Sequence, residues 1–294
     1  MNRFTFFNTV LVLSALLIFT SCGKENEFND HLGTGIRSRF LVDRIYDYHG
    51  NLLAEYIYDD NNRLIKRIIT TESVHPIRTD EMRSEDKFEY VNGRVSKIIN
   101  DTWSYTIWHQ NGQEHRDKYY SETTFKFDKN GRLTRADGGS YGNFNIRYEN
   151  GRVVGFLSNE APWIVTDTLM YDYSGNIIEH VRIVPELTMF GQPIPGTTMR
   201  TVRYYEYDDK PKPNFGLDYL FTFQPLPQMG MIVDVQMLLS RNNMTKAAED
   251  GYKWIYTYNK NGLPATIETI WLGCAETEWE CVPNVLRIIY KQIE

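Results

Sequence analysis

The chain has 294 residues, with 38 acidic and 32 basic side chains and a formal net charge of −6. Nucleic-acid binding needs clustered Lys and Arg, and binding to anionic lipid headgroups needs a polybasic segment, so this composition excludes both. The 20 Tyr and 15 Phe favour β-strands, and the length suits one large all-β domain or two small ones.

The first 21 residues have the form of a secretory signal. Arg3 precedes an apolar run from Val10 to Phe19, and two small residues stand directly before Cys22. The run is too short for a permanent membrane helix, which needs about 20 apolar residues. The segment resembles the lipobox of bacterial lipoproteins, which implies that residues 1–21 are removed and that Cys22 is lipidated. An ordinary cleaved signal with an incidental Cys is the alternative.

Residues 22–36 are predicted to form a lipidated, flexible tether, because their polar side chains are poor core formers. The stretch Gly23-Lys24-Glu25-Asn26-Glu27 resembles the lysine-plus-acidic export signal of surface lipoproteins in the Bacteroidota, with Asn26 interrupting the acidic run. We therefore expect a lipid-anchored protein on the outer face of the outer membrane, with the periplasmic face as the alternative. The lipid would be its sole membrane contact.

The body of the chain repeats one unit: an aromatic residue, a polar turn, Asn-Gly or a close variant, then Arg or a polar residue and an aliphatic one. The copies begin at Tyr46, Tyr58, Tyr90, Phe127, Tyr148, Tyr171 and Tyr258, with a weaker copy at Trp108. Asn-Gly supplies the positive φ angles of tight hairpin turns, so each copy predicts a β-hairpin. The Arg is expected at the strand edge, with its stem over an aromatic ring.

This unit is similar to the YD-type repeats of secreted toxins and teneurins. It more closely resembles a family of uncharacterised Bacteroidota lipoproteins with a porin-like fold, in which such hairpins follow a lipobox. Two further segments carry that resemblance, Tyr205–Asn214 and Leu239–Lys246. The resemblance covers about residues 40–292. It implies the hairpin architecture and no activity.

Residues 37–294 are thus predicted to form a single all-β domain, an antiparallel barrel-like or strongly curved sheet of roughly twelve to sixteen strands. The stretch Phe215–Leu239 departs from the hairpin rhythm and predicts a short helix near 230–240 that caps the sheet, or else a buried strand. We judge a membrane-spanning barrel unfavourable for three reasons. A lipid anchor would be redundant, the C-terminus is charged, and the strands look only about five to seven residues long, against the nine to eleven required.

No catalytic, cofactor or metal residue is predicted. Gly138-Gly139-Ser140-Tyr141-Gly142 matches a nucleophile-elbow pattern, but a strand is expected after it where the elbow requires a helix. His109 and His115 are interpreted as polar strand or loop residues. The cluster from Asp59 to Asn62 is interpreted as a turn in preference to a calcium loop.

Cys274 and Cys281 are the two cysteines besides Cys22, and an extracytoplasmic location makes a disulfide between them the default. Trp103, Trp108 and Trp163 are candidates for stacking against a sugar, with core packing as the alternative.

The sequence therefore indicates a non-enzymatic binding or scaffold module at the cell envelope, acting on a glycan or an envelope protein. A polysaccharide hydrolase would need two carboxylates in one cleft, about 5–9.5 Å apart. A carrier of an apolar ligand would need an open barrel interior.

Overall fold

The fold is all-β. A computed structural model describes residues 39–293 except 139–142, 159–165, 187, 189–191, 193, 218–233, 248, 250 and 274–283. In these ranges the chain forms one short helix, α1 (Asp234–Leu239), and sixteen strands. The strands are β1 (Phe40–Tyr46), β2 (Leu52–Tyr58), β3 (Leu64–Val74), β4 (Arg78–Val91), β5 (Arg94–Trp108), β6 (Gln113–Phe127), β7 (Leu133–Gly138), β8 (Phe144–Glu149), β9 (Arg152–Ser158), β10 (Thr166–Tyr171), β11 (Ile177–Val184), β12 (Met199–Pro211), β13 (Asn242–Ala247), β14 (Tyr252–Tyr258), β15 (Pro264–Trp271) and β16 (Asn284–Gln292).

The strands form one antiparallel sheet in which each strand pairs with its neighbours in sequence, except that the described residues of β9 and β10 form no ladder with each other. The order runs from β10 through β16, then from β1 to β9, with β16 paired to β1. The two edge strands, β9 and β10, lie side by side, so the sheet closes almost completely into a barrel. The predicted antiparallel barrel of consecutive hairpins is confirmed.

Because consecutive strands run antiparallel, their connections alternate between the two ends of the barrel. Most copies of the repeated unit make their turns at one end, which we call the turn end: 59–63, 92–93, 128–132, 150–151, 172–176 and 259–263. The β12–β13 connection, which contains α1, lies there too. The opposite end is called the loop end.

The turns have the conformations that their sequences predict. Asn92-Gly93 and Asn150-Gly151 have positive φ at both residues, as a two-residue hairpin turn requires. In the longer turn after Phe127, the Asp128 carboxylate accepts hydrogen bonds from the backbone N–H groups of Asn130 and Arg132, both at 2.9 Å. It also pairs with the Arg132 guanidinium at 2.7 Å.

A girdle of tyrosines runs around the barrel near the turn end. In the described part of the chain, seven of the eight even-numbered strands carry a tyrosine whose hydroxyl donates to a backbone carbonyl of the preceding strand, at 2.7–2.9 Å. The pairs are Tyr58–Val42, Tyr90–Leu64, Tyr148–Leu133, Tyr171–Val153, Tyr207–Ile177, Tyr256–Met244 and Tyr290–Pro264. On the eighth strand, β6, Phe127 ends the strand. The Tyr171 bond joins β10 to β9, so the closing pair uses the same contact as the others.

The arginine of the repeated unit packs on an aromatic ring, as predicted. The ring belongs to the next even-numbered strand, not to the arginine's own unit. The guanidinium carbon lies 5.0–5.9 Å from the ring centroid in four such pairs: Arg63 over Tyr90, Arg94 over Phe127, Arg132 over Tyr148 and Arg152 over Tyr171. Each arginine therefore links two successive hairpins.

Besides buried polar contacts such as the Arg67–Asp86 ion pair at 2.6 Å, the described residues fill the barrel interior with one apolar core. Its members include the fully buried Trp254, Tyr56, Leu64 and Ile45. At the turn end, the β12–β13 connection places Phe215 in this core, with its ring 5.2 Å from that of Tyr56. The helix α1 packs against the same core through residues 237–239, which confirms the short helix predicted near 230–240.

Five strands are much longer than expected, β3 to β6 and β12, which corrects the predicted strand length; β12 has 13 residues. Strands β3 to β6 have 11, 14, 15 and 15 residues, and they continue past β2 and β7 at the loop end. This part, residues 70–83 and 102–122, is called the extension. In β4 and β6 the length was underestimated because the residues beyond Phe88 and Phe125 are largely polar on both faces. In β5 the alternation continues, with Trp103, Tyr105 and Ile107 at alternate positions separated by polar residues.

None of the described helices is long and apolar enough to cross a membrane.

Candidate functional site

Two segments that lie outside the repeated unit meet at the turn end, Tyr205–Asn214 and Leu239–Lys246. Strand β12 carries the first segment and β13 the second, and they pair with Tyr207 opposite Met244 and Pro211 opposite Asn242. The register shifts between those two pairs, which opens the ladder around Asp208. The β10–β11 turn, Asp172–Asn176, lies next to this opening.

Asn176 holds the β10–β11 turn against the start of β13. Its side chain is 3% exposed, and its Oδ1 accepts the backbone N–H groups of Arg241 and Asn242 at 3.0 and 2.9 Å. Its Nδ2 donates to Asn242 Oδ1 at 3.1 Å and to the Asp172 carboxylate at 3.3 Å. A buried amide with these bonds fixes the turn relative to β13.

A second set of buried polar contacts joins α1 and the residue after it to the neighbouring strands. Ser240 Oγ accepts the backbone N–H of Ile177 at 2.9 Å and donates to the Tyr207 hydroxyl at 2.9 Å. The side chains of Gln236 and His180 meet at 2.9 Å, with the Gln amide donating to Nδ1. These contacts attach α1 to the barrel wall.

Asp208 fills the opening in the ladder. Its carboxylate accepts the backbone N–H of Lys210 at 2.9 Å, that of Asn243 at 3.2 Å and the Asn243 side-chain amide at 3.2 Å. The Tyr258 hydroxyl also donates to it. Burial of Tyr258, together with this bond to a carboxylate, raises the pKa of the tyrosine well above its ordinary value.

These elements surround an open depression of about 870 Å³, which we call the turn-end depression. Asp172, Tyr173, Asp208, Asp209 and Arg241 are among the residues that line it. The Tyr173 side chain is 100% exposed. The guanidinium of Arg241 makes no ion pair with any residue that the structure describes.

Two other carboxylates at the depression are neutralised by lysines. Glu206 pairs with Lys246 at 2.8 Å, and Asp209 pairs with Lys210 at 3.0 Å. The hydrogen bond from Lys210, followed by its charge, lowers the pKa of Asp209. Among the described residues, the depression therefore combines the exposed ring of Tyr173, hydrogen-bond acceptors held in place by the protein, and the guanidinium of Arg241, which makes no ion pair.

The structure does not bring Trp103 and Trp108 together. Trp103 and Trp108 are five residues apart on β5, so they lie on opposite faces of the extension. Trp103 is 37% exposed, and Lys118 Nζ lies 5.3 Å from its ring centroid. Trp108 packs under Arg78, at 5.4 Å. Both rings thus have a cation of the protein itself on one face.

Several sequence predictions fall outside the described residues: Cys22, Cys274, Cys281, Trp163 and Ser140. The elements around Ser140 are strands β7 and β8, so the pattern connects two strands, as expected, and no helix begins at Phe144.

The polar residues weighed as metal ligands have partners within the protein. His109 Nε2 lies 3.0 Å from Thr79 Oγ1, and His115 Nε2 lies 2.8 Å from Asp117. The Asp59 carboxylate accepts two backbone N–H groups of its turn and pairs with Arg63 at 2.5 Å. Among the described residues, no three His, Cys, Asp or Glu side chains are placed to hold a metal ion.

Sequence reasoning did not select Tyr173, Asn176 or Arg241. One signal for Tyr173 was available. Three other turns at the turn end have Asp60, Lys129 or Lys260 at the position that Tyr173 occupies, so an aromatic residue there is unusual at this end of the barrel; Tyr48 holds the same position in the β1–β2 turn at the loop end.

Comparisons with known proteins give a match among solved structures alone. No family model matches the chain, and no curated protein matches it. A porin-like protein from Bacteroides uniformis matches with a TM-score of 0.33 and 9% identity, over 81% of this chain and 90% of that one. A porin-like protein from Bacteroides vulgatus matches with a TM-score of 0.35 and 11% identity, over 85% and 99%. The strand pairing described above, not these scores, establishes the barrel.

Proposed function

We propose that this chain is an outer-membrane-anchored lipoprotein whose barrel acts as a non-enzymatic binding or scaffold module at the cell envelope. The observation that carries the proposal is the filled interior. Since apolar side chains occupy the inside of the barrel, a ligand of any size must be bound from the outer surface, the ends or the extension.

The outward face of the barrel suits water better than lipid. Cross-strand ion pairs on this face include Lys66–Glu85 at 2.7 Å and Lys126–Asp137 at 3.1 Å. Each of these residues is next in sequence to a buried one, and alternation along a strand directs it outward. A lysine on a lipid-facing surface costs about 2–4 kcal/mol at mid-bilayer, so these pairs support attachment through Cys22.

The charge state of the carboxyl groups supports a non-enzymatic role. A glycosidase general acid has a raised pKa. Where a carboxyl pKa departs from its ordinary value in the described residues, hydrogen bonds and nearby cations lower it, as at Asp80, Glu85 and Asp209. At the depression, Asp208 and Asp172 are held by neutral donors and Glu206 and Asp209 by lysines.

A carrier of an apolar ligand has little support from the described residues. The apolar cavity between Phe215, Met244 and Ile267 has a volume of about 40 Å³. This is enough for about one water molecule, whereas small-molecule sites measure roughly 300–1,000 Å³.

The test is thermal unfolding of the full-length protein, purified in detergent, against envelope and dietary glycans, lipids and divalent ions. A ligand at about 100 times its Kd adds about 2.7 kcal/mol, which is roughly 5–10 °C. We expect a shift with a glycan that chromatography then recovers uncut. Shortened products would identify a hydrolase, and a shift with lipids alone would identify a carrier.

A further inference from the structure

We infer that the turn-end depression binds an uncharged oligosaccharide, with Tyr173 stacked on a sugar ring. The inference rests on the binding role proposed above and names the ligand class of one site. It is carried by three observations: a fully exposed ring, a rigid polar floor and nearly balanced charge.

The position of Tyr173 is not explained by the turn that contains it. That turn is closed by Asp172, whose carboxylate accepts the backbone N–H of Asn176 at 2.8 Å, and by the positive φ of Gly175. Neither contact involves the tyrosine ring. Equivalent turns form with Lys129 or Lys260 at the same position, so the fold does not require an aromatic residue there.

An exposed tyrosine beside a polar depression suits the chemistry of a sugar. One face of a pyranose ring carries C–H groups, which pack on the face of an aromatic ring, while its hydroxyls point outward around the edge. Tyr173 lies at the rim with both faces in solvent, unlike Trp103 and Trp108, each of which has a cation against its ring. It therefore has a free stacking surface that the two tryptophans lack.

The floor of the depression offers fixed hydrogen-bonding groups. Asn176 and Asn242 hold each other at 3.1 Å, and Asp208 is held by Lys210 and Asn243. Groups that are already immobilised lose little entropy when a ligand binds.

Asn176 and the Asp208 carboxylate already make four hydrogen bonds each within the protein, so they form the rigid part of the floor and do not bind the ligand. Among the described residues, the groups left for sugar hydroxyls are the second Asn242 amide hydrogen, the Asp172 carboxylate and the Arg241 guanidinium.

The charges in the depression disfavour an acidic ligand. Glu206 and Asp209 are neutralised by Lys246 and Lys210, which leaves the Asp172 and Asp208 carboxylates against the Arg241 guanidinium. A sulfated or uronate sugar would meet one net negative charge. The volume of about 870 Å³ lies in the range of small-molecule sites and is open to solvent, so a chain of sugars can pass through it.

The test is a calorimetric titration of the full-length protein with soluble oligosaccharides of glucose, mannose and xylose, and with oligogalacturonate and heparin as acidic probes. We compare Tyr173→Ala, Tyr173→Phe and Tyr48→Ala with the unmodified chain. Tyr48 is the matched control, because it holds the same turn position at the loop end and is 59% exposed.

We expect a neutral oligosaccharide to bind, Tyr173→Ala to weaken it at least about tenfold, and Tyr173→Phe and Tyr48→Ala to change the Kd less than about twofold. Tighter binding of the acidic probes overturns the ligand class, and equal binding by Tyr173→Ala overturns the site. Binding with no product confirms the role proposed above even if Tyr173 is not involved, whereas hydrolysis that depends on Tyr173 rejects that role and retains the site. No binding by any probe overturns this inference and leaves the scaffold role.

Discussion

The girdle tyrosines show how single residues organise this barrel. Each hydroxyl satisfies a carbonyl of the neighbouring strand, and its ring is packed against the core. A buried carbonyl that loses its donor is costly, because water does not replace the bond. The hydroxyl, in addition to the ring, is therefore expected to stabilise the fold.

Tyr148→Phe removes one girdle hydroxyl and keeps the ring. We expect the free energy of unfolding to fall by about 0.5–1.5 kcal/mol, seen as a Tm about 1–6 °C lower. Tyr173→Phe is the control, since its hydroxyl is in solvent, and its Tm should be unchanged. Equal Tm values for Tyr148→Phe and the unmodified chain would show that the bond to Leu133 adds nothing.

At the scale of the secondary-structure element, the hairpin turn is the feature that repeats along the chain. The aspartate that begins the turn caps two N–H groups and pairs with the arginine that ends it. The β14–β15 turn does the same with Asn259, whose Oδ1 accepts from Asn261 at 2.9 Å and Leu263 at 3.2 Å. An uncharged amide can therefore serve as the cap.

Asp128→Ala removes both caps and the ion pair with Arg132. We expect a loss of about 1–2 kcal/mol in the free energy of unfolding, measured by urea titration. Asp128→Asn keeps the caps and should lose less than half as much. If the two substitutions cost the same, the ion pair, and not the capping, would be the stabilising contact.

The sequence predicted the elements better than their contacts. Asn92-Gly93 and Asn150-Gly151 located hairpins because positive φ is a local requirement, read from two residues. The partner of each arginine could not be read in the same way, since Arg63 crosses to Tyr90 on the next hairpin, 27 positions along the chain. The lengths of β4 and β6 were missed because their outer halves are largely polar on both faces.

The residues of the candidate site were even harder to predict from the sequence than the contacts of the repeated unit. Tyr173 and Arg241 are separated by more than 60 residues and meet because β12 and β13 pair while Asn176 bonds across to Arg241 and Asn242. Such long-range contacts depend on the closed sheet. The segments Tyr205–Asn214 and Leu239–Lys246 stood out through the family resemblance, but nothing local indicated that they face each other.

At the scale of the whole molecule, the girdle makes stability depend on tyrosine protonation. Burial raises the pKa of Tyr148, Tyr171, Tyr207, Tyr256 and Tyr290 above the ordinary value of about 10. The unfolded chain loses these protons near pH 10 while the folded chain keeps them. Stability is therefore fully present below pH 10 and falls above it.

For five tyrosines the loss is roughly 7 kcal/mol per pH unit once the unfolded chain is ionised. We expect cooperative unfolding within about one to two pH units above pH 10, followed by circular dichroism, together with a step in phenolate absorbance. Smooth ionisation of all tyrosines near pH 10, with the fold intact, would contradict buried hydroxyls in the girdle.

We propose above that lipid on Cys22 holds this barrel at the outer membrane and that the outer surface of the barrel faces water. The most direct measurement is fractionation of cells that express the full-length chain or Cys22→Ser, each fed an alkyne analogue of palmitate. We expect the unmodified chain to be labelled and to be found with the outer membrane. We expect the Cys22→Ser chain to be unlabelled and soluble. A Cys22→Ser protein that stays in the membrane after a carbonate wash would show that the barrel itself is embedded, and would contradict the claim.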